Sequence, residues 1–406
     1  MKTKHIVILI GLVVVVGFGG LWFKARQDAA WQRASAGGDK LLARLPVGEN
    51  LAELRLEQGT NRLTLAKRAD RWVVVERADY PANFAEISRL MLKLRDLKAA
   101  QTEPVGPAQL ARLDLLAPDS PTNAGTRVEF RDATGQVLES LRLGKQQMRK
   151  DNRPSPFGDD GGGGFPAGRW LLVGDATDRA VLVSDPLSDL APQPQSWLNK
   201  DFIKVEKLKA VAATFPEATN SWSVARETES GEWKLTDARE GEKLDAGKIS
   251  GFNWALSSPS FNDVATEPPT NAVTLRLDTF DGFSYTILAG EKRDDNLPMT
   301  VTVAATYPRE RTAPEGETAE DKTRLDKEFA DNLKRLDEKL AREKAFAGRV
   351  FLVSSWTLDA LLKPRAELLA APETPADKDD APADQDDAAP DADAEPLKLL
   401  DLPTAN

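Results

Sequence analysis

With 406 residues and no cysteine, the chain is long enough for more than one hydrophobic core but can hold neither a disulfide nor a thiolate nucleophile nor a zinc–thiolate site. The formal charge of -10 is concentrated in one place. Residues 371–396 carry ten carboxylates (Glu373, Asp377, Asp379, Asp380, Asp384, Asp386, Asp387, Asp391, Asp393 and Glu395) against Lys378 alone, so the remainder is near neutral and no nucleic-acid partner is expected.

The first element is the uncharged run Ile6–Phe23, IVILIGLVVVVGFGGLWF. Its 18 residues are about the least that can span a hydrocarbon core of roughly 30 Å as a helix. Lys2, Lys4 and His5 precede it, and Trp22 stands at its far end, as interfacial aromatics do. A cleaved secretory signal has a shorter apolar core and a small-residue cleavage site, and no Ala-x-Ala stands immediately after the run, which continues into Lys24. The expectation is therefore a transmembrane anchor at 1–24 that contacts membrane lipid, with a juxtamembrane spacer at 25–49. Nearly all of the chain follows the anchor, and long domains translocate largely regardless of charge. This predicts a single-pass protein of a bacterial inner membrane, N-terminus cytoplasmic and bulk periplasmic.

A first module is expected at 50–203. Leu54-Arg-Leu56, Leu63-Thr-Leu65 and Asp70-Arg-Trp72-Val-Val-Val75 alternate between turn residues and predict an antiparallel meander. Asn83 with Glu86 resembles a capping box, and Phe84, Ile87, Leu90, Met91, Leu94 and Leu97 recur at helical spacing. Thr126–Phe130, Leu138–Leu143, Arg169–Val173 and Val181–Val183 read as further strands.

The second module, 204–370, repeats this order. Val211–Phe215, Trp222–Val224 and Gly231-Glu-Trp233 answer the first meander, and Asp245 caps a helix with Ile249, Phe252 and Leu256 on one side. Val273–Leu277 and Tyr285–Leu288 follow. Phe165–Val173 (FPAGRWLLV) aligns with Phe346–Val353 (FAGRVFLV) as the sharpest match. The halves are expected to differ before that strand, with a glycine-rich loop at Met148–Gly164 in the first and a charged helical insert at 318–345 in the second. In that insert Leu325, Phe329, Leu333, Leu336 and Leu340 form a narrow stripe able to dock on its own sheet or on a partner. The residues at 371–406 form an acidic, alanine- and proline-rich tail too polar to fold, closed by Leu397, Leu399, Leu400 and Leu402.

The only histidine is His5, which removes histidine triads, relays and metal sites from the extracytoplasmic part. No phosphate-binding glycine loop or dinucleotide fingerprint is present, so neither ATP nor a dinucleotide is expected as a cofactor. Asp159-Asp160 and Asp294-Asp295-Asn296 lack the alternating oxygen ligands of a calcium loop and read as turns. No catalytic, cofactor or metal residue is therefore assigned. Among nine tryptophans, Trp72 and Trp233 occupy equivalent core positions, while Trp197, Trp222 or Trp254 could form a glycan or peptide platform if exposed.

The apolar N-terminal run, the Asp-x-Trp strand, the helix Ile87–Leu97 and the segment Leu110-Ala-Arg-Leu-Asp-Leu-Leu-Ala-Pro118 together resemble domain of unknown function family 4340, over roughly Leu51 to Pro364. Asp114 stands where the family pattern has glycine. The resemblance implies association with membrane subunits of ABC-type transporters of the gliding-motility kind and carries no catalytic residues. The expected fold is α+β, a transmembrane helix followed by two tandem related modules, each an antiparallel sheet with a packed helix. The expected role is a non-enzymatic accessory or scaffold subunit. The alternative is an envelope glycan- or peptide-binding protein.

Overall fold

The computed structural model describes residues 40–42, 45, 50–149 and 165–371. The run Ile6–Phe23, most of the spacer, Asp159-Asp160 and all but the first residue of the acidic tail lie outside the described residues. Among those described, no helix is long and apolar enough to cross a membrane.

The meander forms as β1 (Glu53–Gln58), β2 (Asn61–Arg68) and β3 (Arg71–Val74). Leu54, Leu56, Leu63 and Leu65 alternate inward and are fully buried, which fixes the register because a one-residue slip would expose them all. The short β4 (Tyr80–Pro81) pairs outside β3. In α1 (Phe84–Arg95), Ile87, Leu90, Met91 and Leu94 are buried, each contributing about 1.5–3 kcal/mol. Asn83 caps this helix by accepting from the amides of Ala85 and Glu86, whereas the Glu86 carboxylate turns to Arg89 at 2.8 Å instead of closing a capping box.

Next come β5 (Ala99–Pro104), α2 (Pro107–Arg112), β6 (Thr126–Arg131), β7 (Val137–Arg149), β8 (Phe165–Val173) and β9 (Arg179–Val183). They complete a nine-stranded sheet in the order β4-β3-β2-β1-β6-β7-β8-β9-β5. A second sheet holds β10 (Leu208–Thr214), β11 (Trp222–Ala225), β12 (Lys234–Leu235), β13 (Phe261–Ala265), β14 (Val273–Thr279), β15 (Phe283–Ala289), β16 (Asn296–Ala305) and β17 (Val350–Ser354). Its order is β12-β11-β10-β14-β15-β16-β17-β13. Once β4 is set aside, the two orders coincide position by position. Every paired neighbour is antiparallel.

The α+β expectation is corrected by this architecture. The described protein is mostly two large antiparallel sheets, and its helices are few. Only α1 and α4 (Ala319–Lys344) exceed six residues, because α3 (Ala246–Ile249) ends after one turn and α5 (Arg365–Leu368) is equally short. Asp245 caps α3 as its sequence suggests, accepting from the amides of Gly247 and Lys248. Gly247 and Gly251, however, fall within this short stretch, each costing about 1 kcal/mol relative to alanine, and the chain passes into a 3-10 turn at Ser250–Asn253. A side chain at Gly251 would put its Cβ 2.9 Å from that of Ala360, so close packing also demands glycine there.

Nor are the halves separate in their packing. One continuous apolar core runs from Leu42 to Leu368 through both sheets, and the described chain up to Leu369 is one body. A smaller core lies on the other face of the first sheet, where Trp170, Leu172, Ala180 and Leu182 join Leu115. Their neighbours Leu171, Val181 and Val183 point into the main core, as period-two alternation requires. The expected equivalence of Phe165–Val173 and Phe346–Val353 is also displaced: by position in the sheets, β8 answers β16, and β17 answers β9. Thus α4 interrupts the β16–β17 connection, whereas the glycine-rich stretch lies between β7 and β8.

Candidate functional site

The two sheets meet at a cluster of aromatic rings. Tyr80 of β4 lies edge-on to Phe261 of β13 and Phe351 of β17, at 5.7 and 6.0 Å between ring centroids. Phe202, from the segment between the sheets, contacts Phe261, Phe346 and Phe351 at 5.2, 5.6 and 4.7 Å. Beside the rings, the Arg77 guanidinium donates through Nε and Nη2 to both oxygens of Asp263 at 2.6 and 2.8 Å. This bidentate bond raises the Arg77 pKa, against the opposing effect of burial. Burial pushes the Tyr80 hydroxyl up to about 12, with the nearby Arg349 charge acting the other way, so the ring remains a neutral phenol at physiological pH.

A cleft of about 420 Å³ opens over this junction. Its floor is apolar, from Val73, Tyr80, Pro81 and Phe346, and three of these side chains are less than a tenth exposed. Its rim carries Arg68, Arg71 and Arg349 against the single carboxylate of Asp79. Arg68 and Arg71 face each other directly across the β2–β3 hairpin and are exposed. Among the described residues neither has an ion pair or side-chain hydrogen bond. Arg349 stacks 5.0 Å over the Tyr80 ring and donates to the Ala78 carbonyl at 3.3 Å. Ala78 and Asp79 both hold left-handed backbone, φ 52° and 53°, which turns the chain sharply into Tyr80. The end of α4 reaches the cleft through Ala345, but the carbonyls of Arg342, Glu343 and Lys344 accept from the amides of Ala345, Phe346 and Ala347. That satisfaction blunts the negative end of the helix.

The second notable surface is α4. Thr318 caps it by accepting from the Asp321 amide at 3.1 Å. Its last turns are pinned: Leu336 is buried, and the Glu343 carboxylate, 1% exposed, accepts from the Tyr285 hydroxyl at 2.8 Å, the Lys204 amide at 3.1 Å and the Lys339 ammonium. Burial and the Glu343 carboxylate together raise the Tyr285 pKa far above its ordinary value. Along the first four turns nothing is fully buried, and Leu325, Phe329 and Leu333 remain partly exposed.

Of the proposed tryptophan platform, Trp197 and Trp222 are buried, 3% and 2% exposed, while Trp254 is 75% exposed. Trp222 stacks on Phe252 at 5.3 Å and donates to the Lys363 carbonyl at 2.8 Å. Trp72 and Trp233 are partly buried against the main core. Trp356, 70% exposed, was not singled out by the sequence. Asp294 sits in left-handed backbone in the turn before β16, Asp295 accepts from the Ser355 amide, and Asn296 pairs with Asn262. Among the described residues no group of three or more histidines, aspartates or glutamates could hold a metal ion. The arginine cleft escaped sequence reasoning. The spacing Arg68-Ala-Asp-Arg71 across a turn was its one local signal, and Arg349 is distant in the chain.

Asp114 adopts left-handed backbone, φ 53°, a conformation that aspartate tolerates. This turn places Leu115 in the smaller core and brings the Leu113 carbonyl onto the Lys145 amide at 2.7 Å. Residues 72–153 match the model of a family described as "Domain of unknown function (DUF4340)". The match begins in β3 and takes in α1, α2, β6 and β7; of the residues lining the cleft it includes Val73, Asp79, Tyr80 and Pro81 but not Arg68, Arg71 or Arg349. No curated protein matches the chain, and no solved structure does.

Proposed function

We propose that this protein is a non-enzymatic accessory subunit that scaffolds an ABC-type transport complex from the periplasmic side of a bacterial inner membrane. The location rests on the uncharged sequence run at Ile6–Phe23. The partner class rests on the resemblance to the family matched at 72–153. The observation that carries the interaction role is the uneven burial of α4. Its last turns are tied down by Leu336 and Glu343, while the stripe of Leu325, Phe329 and Leu333 is left partly open along the first turns. A helix that needed the stripe only for its own fold would bury it along its length. The occupant we assign to it is the membrane subunit of the transporter.

A photo-crosslinker at Phe329 in the full-length chain, expressed in its own cells, tests this. Crosslinking to an ABC-type membrane subunit, lost on Leu333→Asp with unchanged melting, is the expected result. A clean monomer, or capture only of unrelated proteins, refutes it.

A second reading, glycan or peptide binding, draws on the exposure of Trp254 and Trp356. It requires quenching of indole fluorescence by cell-wall fragments that disappears in Trp254→Phe with Trp356→Phe. Absence of quenching by any fragment ends that reading.

A further inference from the structure

We infer that the cleft between the β2–β3 hairpin, β4 and the turn from α4 into β17 is a binding site for a small organic anion, one carboxylate or phosphate carried on an apolar or aromatic stem. Three observations converge on that chemistry. The first is the uncompensated charge. Arg68 and Arg71 stand directly opposite each other in the hairpin register, an arrangement in which like charges repel. Other arginines of this protein hold carboxylates, among them Arg77 with Asp263, Arg309 with Asp337, and Arg365 with Asp237. Arg68 and Arg71 hold none among the described residues, and with Arg349 they outnumber the one rim carboxylate, Asp79, three to one. Guanidinium forks match the paired oxygens of a carboxylate or phosphate, so one bound anion would relieve the repulsion and satisfy the donors.

The second observation is the floor. Val73, on the same face of the hairpin as the two arginines, lies beneath them with Tyr80 and Phe346, all nearly inaccessible to solvent. Little of each floor residue is left open, but what the cleft does expose is mostly apolar, and a stem of a few carbons or a ring would cover it where a bare inorganic ion would not. A volume of about 420 Å³ is within the usual range for small-molecule sites. The third observation is rigidity. The Arg77–Asp263 pair and the ring cluster fix the two walls relative to each other, and Arg349 is already held over Tyr80. Arg349 and the apolar floor are therefore organised before the ligand arrives, whereas the exposed Arg68 and Arg71 side chains would be ordered by it.

The site stands independently of the transporter reading, since it uses none of α4's open stripe. The test is calorimetric titration of the full-length protein, in nanodiscs of zwitterionic lipid, with phenyl phosphate, 3-phenylpropionate, inorganic phosphate and the neutral 3-phenylpropanol. One-to-one binding of phenyl phosphate or 3-phenylpropionate is expected, with inorganic phosphate and the alcohol each weaker by about tenfold or more. Whichever anion binds more tightly identifies the head group. Arg68→Glu and Arg71→Glu alter exposed side chains, are expected not to lower the melting temperature because each replaces a repelling cross-strand pair with an attracting one, and are each expected to weaken binding by at least about tenfold. The inference is overturned if no anion binds at millimolar concentration, if inorganic phosphate binds as well as phenyl phosphate, or if both variants bind like the parent.

Discussion

Replacing Glu343 with alanine tests how α4 is held, and the structure sets the size of the effect. The carboxylate is 1% exposed in the last turn of the helix, where the helix dipole disfavours negative charge, so its place depends on its partners. Those partners are the Tyr285 hydroxyl, the Lys204 amide and the Lys339 ammonium, whose side chain is itself only 17% exposed. Removing one member of a buried ion pair costs about 3–5 kcal/mol. Lys339 would still donate to the Lys204 carbonyl at 2.6 Å and lie 4.9 Å over the Phe283 ring, which moves the expectation to the lower end, about 3 kcal/mol. In a body of this size that corresponds to a fall in melting temperature of about 4–5 °C, measured by differential scanning calorimetry. Glu343→Gln keeps an acceptor for Tyr285 but removes the charge opposite Lys339, so its loss should be smaller than that of alanine, about 1.5–3 kcal/mol. Joining Glu343→Met to Lys339→Met should recover most of the alanine loss, because a buried pair exchanged for apolar side chains is often neutral. The reasoning fails if Glu343→Ala melts like the parent, or if the double methionine variant is less stable than the alanine variant.

Asp263→Asn should destabilise the junction of the sheets by about 1–3 kcal/mol, read from denaturant melts, because it withdraws the charge held bidentately by Arg77. Gly144→Ala would place a Cβ 2.3 Å from the Leu113 carbonyl and should cost about 1–3 kcal/mol, whereas Gly135→Ala meets no such neighbour and its loss comes from the left-handed φ alone. Equal melting of the Gly144 variant and the parent would rule out that close approach. The hydrogen bond from Arg365 holds Glu242 well below its ordinary 4.5, at about 2. Since the folded value is the lower one, the stability from this pair is fully present above about pH 4.5 and lost as pH falls towards 2. Glu242→Gln should therefore flatten the acid-unfolding profile across that window, and an unchanged profile would place the acid sensitivity elsewhere.

The parts of the fold legible from sequence are those with strong local signals. The meander Leu54 to Val75 carries a period-two alternation between turns, and the two longer helices each carry a helical periodicity and a cap, signals that a nearby stretch suffices to specify. The helix after Asp245 misled because its cap and apolar spacing were sound while two glycines removed its propensity. The pairing of FPAGRWLLV with FAGRVFLV misled for a different reason. Alternating apolar residues describe any half-buried strand, and its place in a sheet depends on hydrogen-bond partners remote in sequence. No alternation marks β5, whose residues AAQTEP read as a loop yet pair with β9 at the sheet edge.

By itself the sequence determined what chemistry the chain cannot perform through cysteine or histidine, where its negative charge is gathered, and which short segments alternate or wind. Those properties belong to composition and to neighbours a few residues apart. Only the tertiary structure decided that the halves share one core, that α4 is pinned at one end, and that Arg349 comes to lie across the cleft from Arg68 and Arg71. The reason is physical. Burying Tyr80, Phe202, Phe261, Phe346 and Phe351 against one another removes apolar surface that none of their own segments could cover, and that closure carries the arginines together.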